Sequence, residues 1–176
     1  NVNSDFDNSD FIADINAYFE SKGIVSVFSR LHPYIGEQTS VLNNFGDINS
    51  LGRVVNIDVS LSLEESRRAY QKSLKNQVNK LRRTCNVRKA NTKEDVLEFV
   101  DIYHENMKRL NAESNYFFKP EYFLNFIEQT DFKTDILLVE ELESQKVIAG
   151  SMFVKTNGIV QFHLSGTRTD YLRLRP

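Results

Sequence analysis

Residues 86–165 carry a succession of hydrophobic patterns that few folds accommodate. A short strand near 86–89 precedes two helical patterns, and three apolar strand segments follow, at 135–140, 146–155 and 158–165. Asn157-Gly158 joins the last two, and Asn-Gly is the strongest short signal for a β-hairpin. The order strand, helix, helix and three strands therefore predicts an α+β fold with a mixed, mainly antiparallel sheet flanked by helices.

Both helices have recognisable starts. Thr92 is a candidate N-cap for the first helix, and Pro120 suits the first turn of the second. The first helix has an apolar stripe of Val96, Phe99, Val100, Tyr103, Met107 and Leu110, and the second has Tyr122, Phe123, Phe126 and Ile127 on one side. These stripes predict two helices that pack on a common core.

Residues 1–58 are less regular. The first eight residues predict a polar lead-in, and residues 11–19 repeat apolar side chains at helical spacing between a candidate N-cap, Ser9, and Gly23. Residues 24–28 and 53–58 have strand-like composition. Residues 33–52 show no clear periodicity, and a loop of that length in a compact domain is usually functional or mobile.

The basic residues are concentrated in one stretch. Nine of the 22 Lys and Arg residues lie between Arg67 and Lys89, where there is no acid, so the rest of the chain carries 13 basic and 24 acidic residues. Leu63, Tyr70, Leu74, Val78 and Leu81 form a helical stripe there, and Ser62 with Glu65 forms a capping box. Two interpretations stay open: a solvated helix paired with acidic residues elsewhere, or a site for phosphates or another polyanion.

Several classes of protein are excluded by counting. The seven glycines lie at least six residues apart, so neither a Rossmann fingerprint nor a P-loop is present. One cysteine, Cys85, rules out disulfide frameworks and CxxC zinc sites and fits the cytoplasm. The three histidines, His32, His104 and His163, are scattered, so no zincin motif and no metal site is predicted. No apolar run is long enough for a transmembrane segment.

Six segments, taken in order, resemble the FemABX-like branch of the GNAT acyltransferase superfamily. They are residues 27–33, 55–59, 72–83, 103–112, 116–118 and 163–167, with the sequences VFSRLHP, VNIDV, KSLKNQVNKLRR, YHENMKRLNA, YFF and HLSGT. The resemblance runs from about residue 10 to the end. It implies that 1–58 ends a first GNAT-like unit, 59–85 is a basic connecting helix, and 86–176 begins a second unit, although all may pack as one compact domain.

The resemblance implies N-acyl or N-aminoacyl transfer to an amine, including modification of cell-wall or polysaccharide precursors. The sequence departs from the family in lacking the Gln/Arg-x-x-Gly-x-Gly/Ala loop for acyl-CoA. It also stops just after the fourth-strand equivalent, so the chain is expected to be a partial or permuted unit. No tightly bound cofactor is expected, and the acyl donor, aminoacyl-tRNA or acyl-CoA, stays open.

The candidate site residues lie in four places. On the last strand, simple alternation puts Gln161, His163 and Ser165 on one face and Phe162 and Leu164 in the core. The resemblance implies that the first face lines an acyl-transfer cleft; the alternative is that His163 only forms a hydrogen bond within a half-buried sheet. Arg30 and His32 are candidates for anionic substrate, and Tyr116 for an aromatic wall. Candidate phosphate-binding cations on the basic helix are Lys72, Lys75, Arg82 and Arg83. His104 and Glu105 are predicted to be surface groups.

Three functions are compatible with these patterns. The first is an acyl- or aminoacyl-transferase that takes an anionic substrate or acyl donor, with tRNA as one partner and a homo-oligomer as one way to complete the fold. The second is a non-catalytic, degenerate or partial GNAT-like binding module, which the missing glycine loop favours. The third is an RNA-binding domain that uses the basic helix.

Overall fold

The computed structural model describes residues 7–176. The chain divides into two units, Asn1–Ser60 and Leu61–Pro176. In the first unit, α1 (Ser9–Ser21) and α2 (Glu37–Val41) are held together by Asn8, whose side-chain amide donates to the carbonyl oxygens of Val41 and Asn43 at 2.9 and 2.8 Å. The long loop predicted at 33–52 thus contains a short helix.

The strands predicted at 24–28 and 53–58 are wrong. Neither segment is a strand in the structure, and Val25, Phe28 and Val55 are 99%, 82% and 91% exposed. A strand is stabilised by pairing with a neighbour, and within residues 7–60 neither segment has one. Strand-like composition was therefore insufficient to predict a strand here.

The basic stretch forms two helices where one was predicted. The capping box of Ser62 and Glu65 is confirmed and begins α3 (Leu63–Ala69), but Tyr70 is extended and α4 (Lys72–Thr84) follows. Side chains of α4 also hold α3 next to α4. Lys75 Nζ donates to the carbonyl oxygen of Arg68 at 3.2 Å, and the Asn79 side chain accepts from Arg67 at 2.8 Å.

The remaining elements follow the predicted order. They are β1 (Cys85–Lys89), α5 (Lys93–Arg109), a 3-10 turn (Ser114–Tyr116), α6 (Pro120–Glu128), β2 (Lys133–Glu141), β3 (Val147–Thr156), β4 (Ile159–Thr167) and a 3-10 helix (Thr169–Leu174). The four strands form an open sheet in the order β1-β2-β3-β4, and every pair is antiparallel. The α+β class is confirmed, and the sheet of the described residues is wholly antiparallel rather than mixed.

The core lies between the sheet and α5 with α6. Its buried side chains are Val96, Phe99, Val100, Tyr103, Phe123, Ile136, Leu138 and Met152. Gly150 and Gly166 are directly paired on β3 and β4, and a Cβ added to them would lie 2.6 Å from Phe99 Cδ2 and 2.8 Å from the Ile102 carbonyl oxygen, respectively. The missing side chains let α5 approach the sheet closely; we call this pair the glycine notch.

A β-bulge interrupts β4 opposite the step between Met152 and Phe153. Met152 pairs with Leu164 and Phe153 with Phe162, so His163 is an extra residue in β4. A bulge changes the alternation of side chains, and here both His163 and Leu164 lie on the side of the helices. Phe162 lies on the other face and is 61% exposed, so its predicted core position is wrong.

Candidate functional site

The bulge places His163 against α6. The imidazole Nε2 of His163 and the phenol oxygen of Tyr122 are hydrogen-bonded at 2.8 Å, and the two residues are 41 positions apart in sequence. His163 lies on an edge strand of the sheet, and β-bulges are frequent next to active sites because they redirect a side chain. The pair is the strongest candidate for a reactive site in residues 7–176.

Aromatic rings surround the His163 imidazole on the helix side. Its ring is nearly parallel to those of Phe126 and Tyr122, with centroids 5.2 and 6.3 Å away. The Phe118 ring stacks on the Tyr122 ring with the centroids 4.4 Å apart, and the centroids of the Phe132 and Phe126 rings are 5.4 Å apart. The imidazole is therefore half-buried beside apolar rings, an environment that strengthens hydrogen bonds.

Burial determines the protonation of this pair. It lowers the pKa of His163 below the ordinary 6.5, because the charged imidazolium loses hydration there. Burial also raises the pKa of Tyr122 above the ordinary 10.0. At neutral pH both partners are uncharged, and a neutral imidazole has one nitrogen available to accept a proton.

The segment before α6 is fastened to α5. The phenol of Tyr103 donates to the Tyr116 carbonyl oxygen, and His104 Nε2 lies the same distance, 2.8 Å, from the Phe118 carbonyl oxygen. These bonds fix the backbone that presents Phe118 to Tyr122. The ring of Tyr116, the predicted aromatic wall, is exposed and contributes to this segment through its backbone.

The prediction that His104 and Glu105 are surface groups is wrong for both. Each is half-buried and has a long-range partner. Glu105 accepts from the backbone N–H of Thr169 at 2.6 Å and pairs with Arg168 at 3.2 Å, which lowers the pKa of its carboxyl. These bonds attach residues 168 and 169, which follow β4, to α5.

The bulge separates the three residues predicted to line one face of β4. Gln161 pairs with Val154 and lies on the helix side with His163. Ser165 pairs with Ser151 and lies on the opposite face, so the three side chains do not form the predicted row. The alternation rule fails because the extra residue at 163 shifts the pattern by one position.

The other candidates occupy two regions. Arg30 and His32 belong to the first unit. There His32 Nδ1 accepts from the Tyr34 N–H at 3.3 Å. The side-chain amide of Gln38 accepts from the His32 N–H and donates to the His32 carbonyl oxygen. Arg30 is exposed. Lys72, Lys75, Arg82 and Arg83 all lie on α4, in the second unit.

The cations of the basic stretch divide into paired and unpaired groups. Arg88 contacts Asp95 and Glu140, Lys89 contacts Asp135, and Arg68 contacts Glu64. Within residues 61–176, Lys72, Lys80, Arg82 and Arg83 on α4 have no acidic partner, and all four are exposed. The free cations are therefore concentrated on α4.

The sequence did not indicate that Tyr122 would be the partner of His163. Tyr122 was visible only as one member of the apolar stripe of α6, and nothing local links it to a strand 41 residues later. Among residues 7–176, no group of three His, Cys, Asp or Glu side chains is placed to hold a metal ion. No helix in that range is both long and apolar enough to cross a bilayer.

No family model matches the sequence, and the search of curated proteins found no match.

Proposed function

We propose that the second unit is a GNAT-like, FemABX-type N-acyltransferase site, in which His163 and Tyr122 transfer an acyl or aminoacyl group to an amine. The observation that carries the proposal is the hydrogen-bonded, uncharged Tyr122–His163 pair on a bulged edge strand. Acyl transfer to an amine requires a group that removes the amine proton and a donor for the leaving group, and this pair contains both kinds of atom.

The arrangement of elements supports the fold part of the proposal. A strand, two helices on one face and three consecutive antiparallel strands are the elements that the resemblance implies for the start of a GNAT-like domain. The four-stranded antiparallel order of residues 85–167 agrees with it. Sheets of this kind serve many functions, so the chemistry depends on the residues of the site and not on the fold.

The proton transfers follow from one tautomer. With its proton on Nε2, His163 donates to the Tyr122 oxygen, and Nδ1 has the lone pair that accepts the proton of the attacking amine. The new bond joins the amine nitrogen to the acyl carbon, and the bond from that carbon to the donor oxygen or sulfur breaks. The Tyr122 hydroxyl, whose hydrogen is free in this tautomer, donates to the carbonyl oxygen as negative charge develops there. The His163 imidazolium returns its proton to the leaving group.

Gln161 is the third polar residue in the proposal. It lies two residues before His163 on the helix side of β4, where its amide can orient a substrate by hydrogen bonds. Ser165 has no role in the same step, because it lies on the other face of the sheet. The donor and the acceptor are defined only by class: an ester or thioester, and a primary amine.

The proposal is tested by measuring amide formation. The protein is incubated with aminoacyl-tRNA or with acyl-CoA and a panel of primary amines, and products are detected by mass spectrometry. We expect one donor to be used, and His163→Gln to lower kcat/KM by about 10²–10⁴-fold, the range for loss of a general base. Tyr122→Phe keeps the ring and is expected to have a smaller effect.

The pH profile gives a second readout. Since burial lowers the pKa of His163, the loss of kcat/KM caused by protonation of His163 should be centred below pH 6.5, once the separate titration of the amine substrate is accounted for. Ser165→Ala is the matched control on the same strand and should leave kcat/KM unchanged. If His163→Gln is folded and as active as the wild type, or if no donor reacts, the acyltransferase proposal is wrong.

The free cations of α4 favour RNA binding as a second candidate function. Lys72, Lys80, Arg82 and Arg83 are exposed and lack acidic partners within residues 61–176, so they can contact phosphates without breaking an ion pair. This function is compatible with an aminoacyl-tRNA donor, and it also stands alone if the protein has no catalytic activity.

RNA binding has its own test. Affinity for tRNA should fall steeply with salt, and removing one phosphate-binding cation should reduce the slope of log K against log salt concentration by about 0.7–0.9. Arg82→Glu with Arg83→Glu should weaken binding, whereas Lys93→Glu at the start of α5 serves as the control. Unchanged affinity of the α4 variant would exclude this function.

A further inference from the structure

A second candidate site lies at the end of the sheet, where β2 begins. An open cleft of about 650 Å³ is bounded there by the last residues of β1, the segment between α6 and β2, and the β3–β4 turn. Its lining includes three lysines, Lys89, Lys133 and Lys155, and one carboxylate, Asp131. The cleft is therefore a concave surface with an excess of positive charge.

Two of the lysines are held next to each other by the sheet. Lys133 and Lys155 are directly paired in the register of β2 and β3, which places their Cβ atoms on the same face about 4.5–5.5 Å apart. Like charges in this position destabilise a sheet. Lys89 has Asp135 as a partner, but Lys133 and Lys155 have no ion pair within residues 61–176. Neither Lys133 nor Lys155 is therefore neutralised by an ion pair there.

One polar group next to Lys133 is uncompensated. Thr134 is 7% exposed, and its hydroxyl, which lies on the opposite face of β2 from Lys133, has no hydrogen-bond partner within the described residues. The pairing of β1 with β2 ends at Lys89 and Leu137, so the first residues of β2 have a strand on one side only. Thr134 also lines the cleft. Since the Thr134 hydroxyl is buried on the other face of β2, the groups available to an anion here are the ammonium groups of Lys133 and Lys155.

We propose that this cleft binds a phosphate group of a small molecule. Two lysines at directly paired strand positions match a dianion better than a singly charged carboxylate, and lysine binds phosphate as a point charge. A bound phosphate would remove the repulsion between Lys133 and Lys155. The proposal does not depend on acyl transfer, because binding is measured without turnover.

The binding test uses the whole chain and simple anions. Backbone amide shifts are followed by NMR as inorganic phosphate or acetate is added at constant ionic strength. We expect phosphate to shift the amides of residues 129–134 and 155–157 and to bind more tightly than acetate. Absence of phosphate-dependent shifts in these residues would overturn the proposal, and equal affinity for acetate would overturn the assignment to phosphate.

A pair of double variants makes the test specific. Lys133→Gln with Lys155→Gln should weaken phosphate binding by about tenfold or more. Lys108→Gln with Lys146→Gln removes the same charge from exposed positions outside the cleft and should leave the affinity for phosphate unchanged. Because all four side chains are exposed, both variants are expected to fold, which circular dichroism checks. If both variants lose affinity equally, the anion is attracted by net charge and the proposed site is wrong.

Discussion

The helices α4 and α5 belong to the same unit and have opposite roles. α5 buries Val96, Phe99, Val100, Ile102 and Tyr103, whereas α4 buries no residue. α5 begins with a reciprocal capping box, but Gln71 at the start of α4 makes no side-chain cap. One helix is stabilised by packing, and the other is an exposed carrier of charged side chains.

This difference shows how the unit combines a rigid site with an adaptable surface. α5 is packed on the sheet and holds the backbone segment next to the His163 ring through Tyr103 and His104. The exposed cations of α4 can move to meet a partner without disturbing the core. Four measurements can contradict or refine the comparison.

The largest effect is expected from truncating the core side of α5. Phe99 is fully buried, so Phe99→Ala should lower the free energy of unfolding by about 3–5 kcal/mol. Leu74 on α4 is 46% exposed, and Leu74→Ala should cost less than about 1 kcal/mol. Urea denaturation of the two variants measures both values. Equal losses would show that α4 is packed as tightly as α5.

The next effect concerns the close approach of α5 to the glycine notch. Gly166→Ala should cost about 1–3 kcal/mol, because its Cβ would lie 2.8 Å from the Ile102 carbonyl oxygen. Asn76→Ala at an exposed position of α4 is the control and should change stability by less than about 0.5 kcal/mol. Thermal unfolding measures the two variants side by side. A neutral Gly166→Ala would mean that α5 is free to move away from the sheet.

Acid should selectively weaken the ion pair between Asp95 on α5 and Arg88 on β1. Hydrogen bonding from Arg88 lowers the pKa of Asp95 to about 2 from the ordinary 3.8. The stability that this carboxylate contributes is thus complete above about pH 4 and is lost as the pH falls towards 2. Asp95→Asn should remove about 1–2 kcal/mol of that pH-dependent stability, after allowance for solvent screening.

The exposed pair of Glu64 and Arg68 on α3 provides the control for Asp95. Both side chains are more than 70% exposed, so Glu64→Gln should leave the acid dependence unchanged. The measurement is urea denaturation at a series of pH values. A wild-type curve that is flat between pH 4 and 2 would contradict the role of Asp95.

The smallest effect concerns the helix starts. Thr92 accepts a hydrogen bond from the Asp95 backbone N–H at 3.2 Å, so Thr92→Ala should cost about 1 kcal/mol. Gln71→Ala at the start of α4 should cost almost nothing, because Gln71 makes no cap. Denaturation curves of the two variants decide the matter. If Gln71→Ala lowers stability as much as Thr92→Ala, the proposed difference between the starts of α4 and α5 is wrong.

Local signals in the sequence predicted the elements of the second unit well. The cap at Thr92, the proline at the start of α6 and the Asn157-Gly158 turn are confirmed, with positive φ angles of 45° and 78° in the turn. Each signal acts within a few residues, so it can be recognised without knowledge of the tertiary contacts. The same local reasoning failed at 24–28 and 53–58, where a strand depends on a distant partner.

The candidate site was predictable only in part. His163 was identified because strand alternation put it in line with Gln161 and Ser165, but its neighbours depend on the bulge in β4, which no glycine or proline marks. One extra residue moved Ser165 to the other face and brought His163 to Tyr122. The facing lysines of the cleft likewise follow from strand register, which the sequence does not specify by itself.

The glycine notch has a consequence for how the sequence can change over evolutionary time. A Cβ at Gly150 meets the ring of Phe99, which a smaller residue at 99 could relieve. A Cβ at Gly166 meets the backbone of Ile102, and no exchange of side chain removes a carbonyl oxygen. Gly150 can therefore be substituted if residue 99 becomes smaller at the same time. No substitution elsewhere compensates for a side chain at position 166, which should stay glycine in every sequence that keeps α5 at this distance from the sheet.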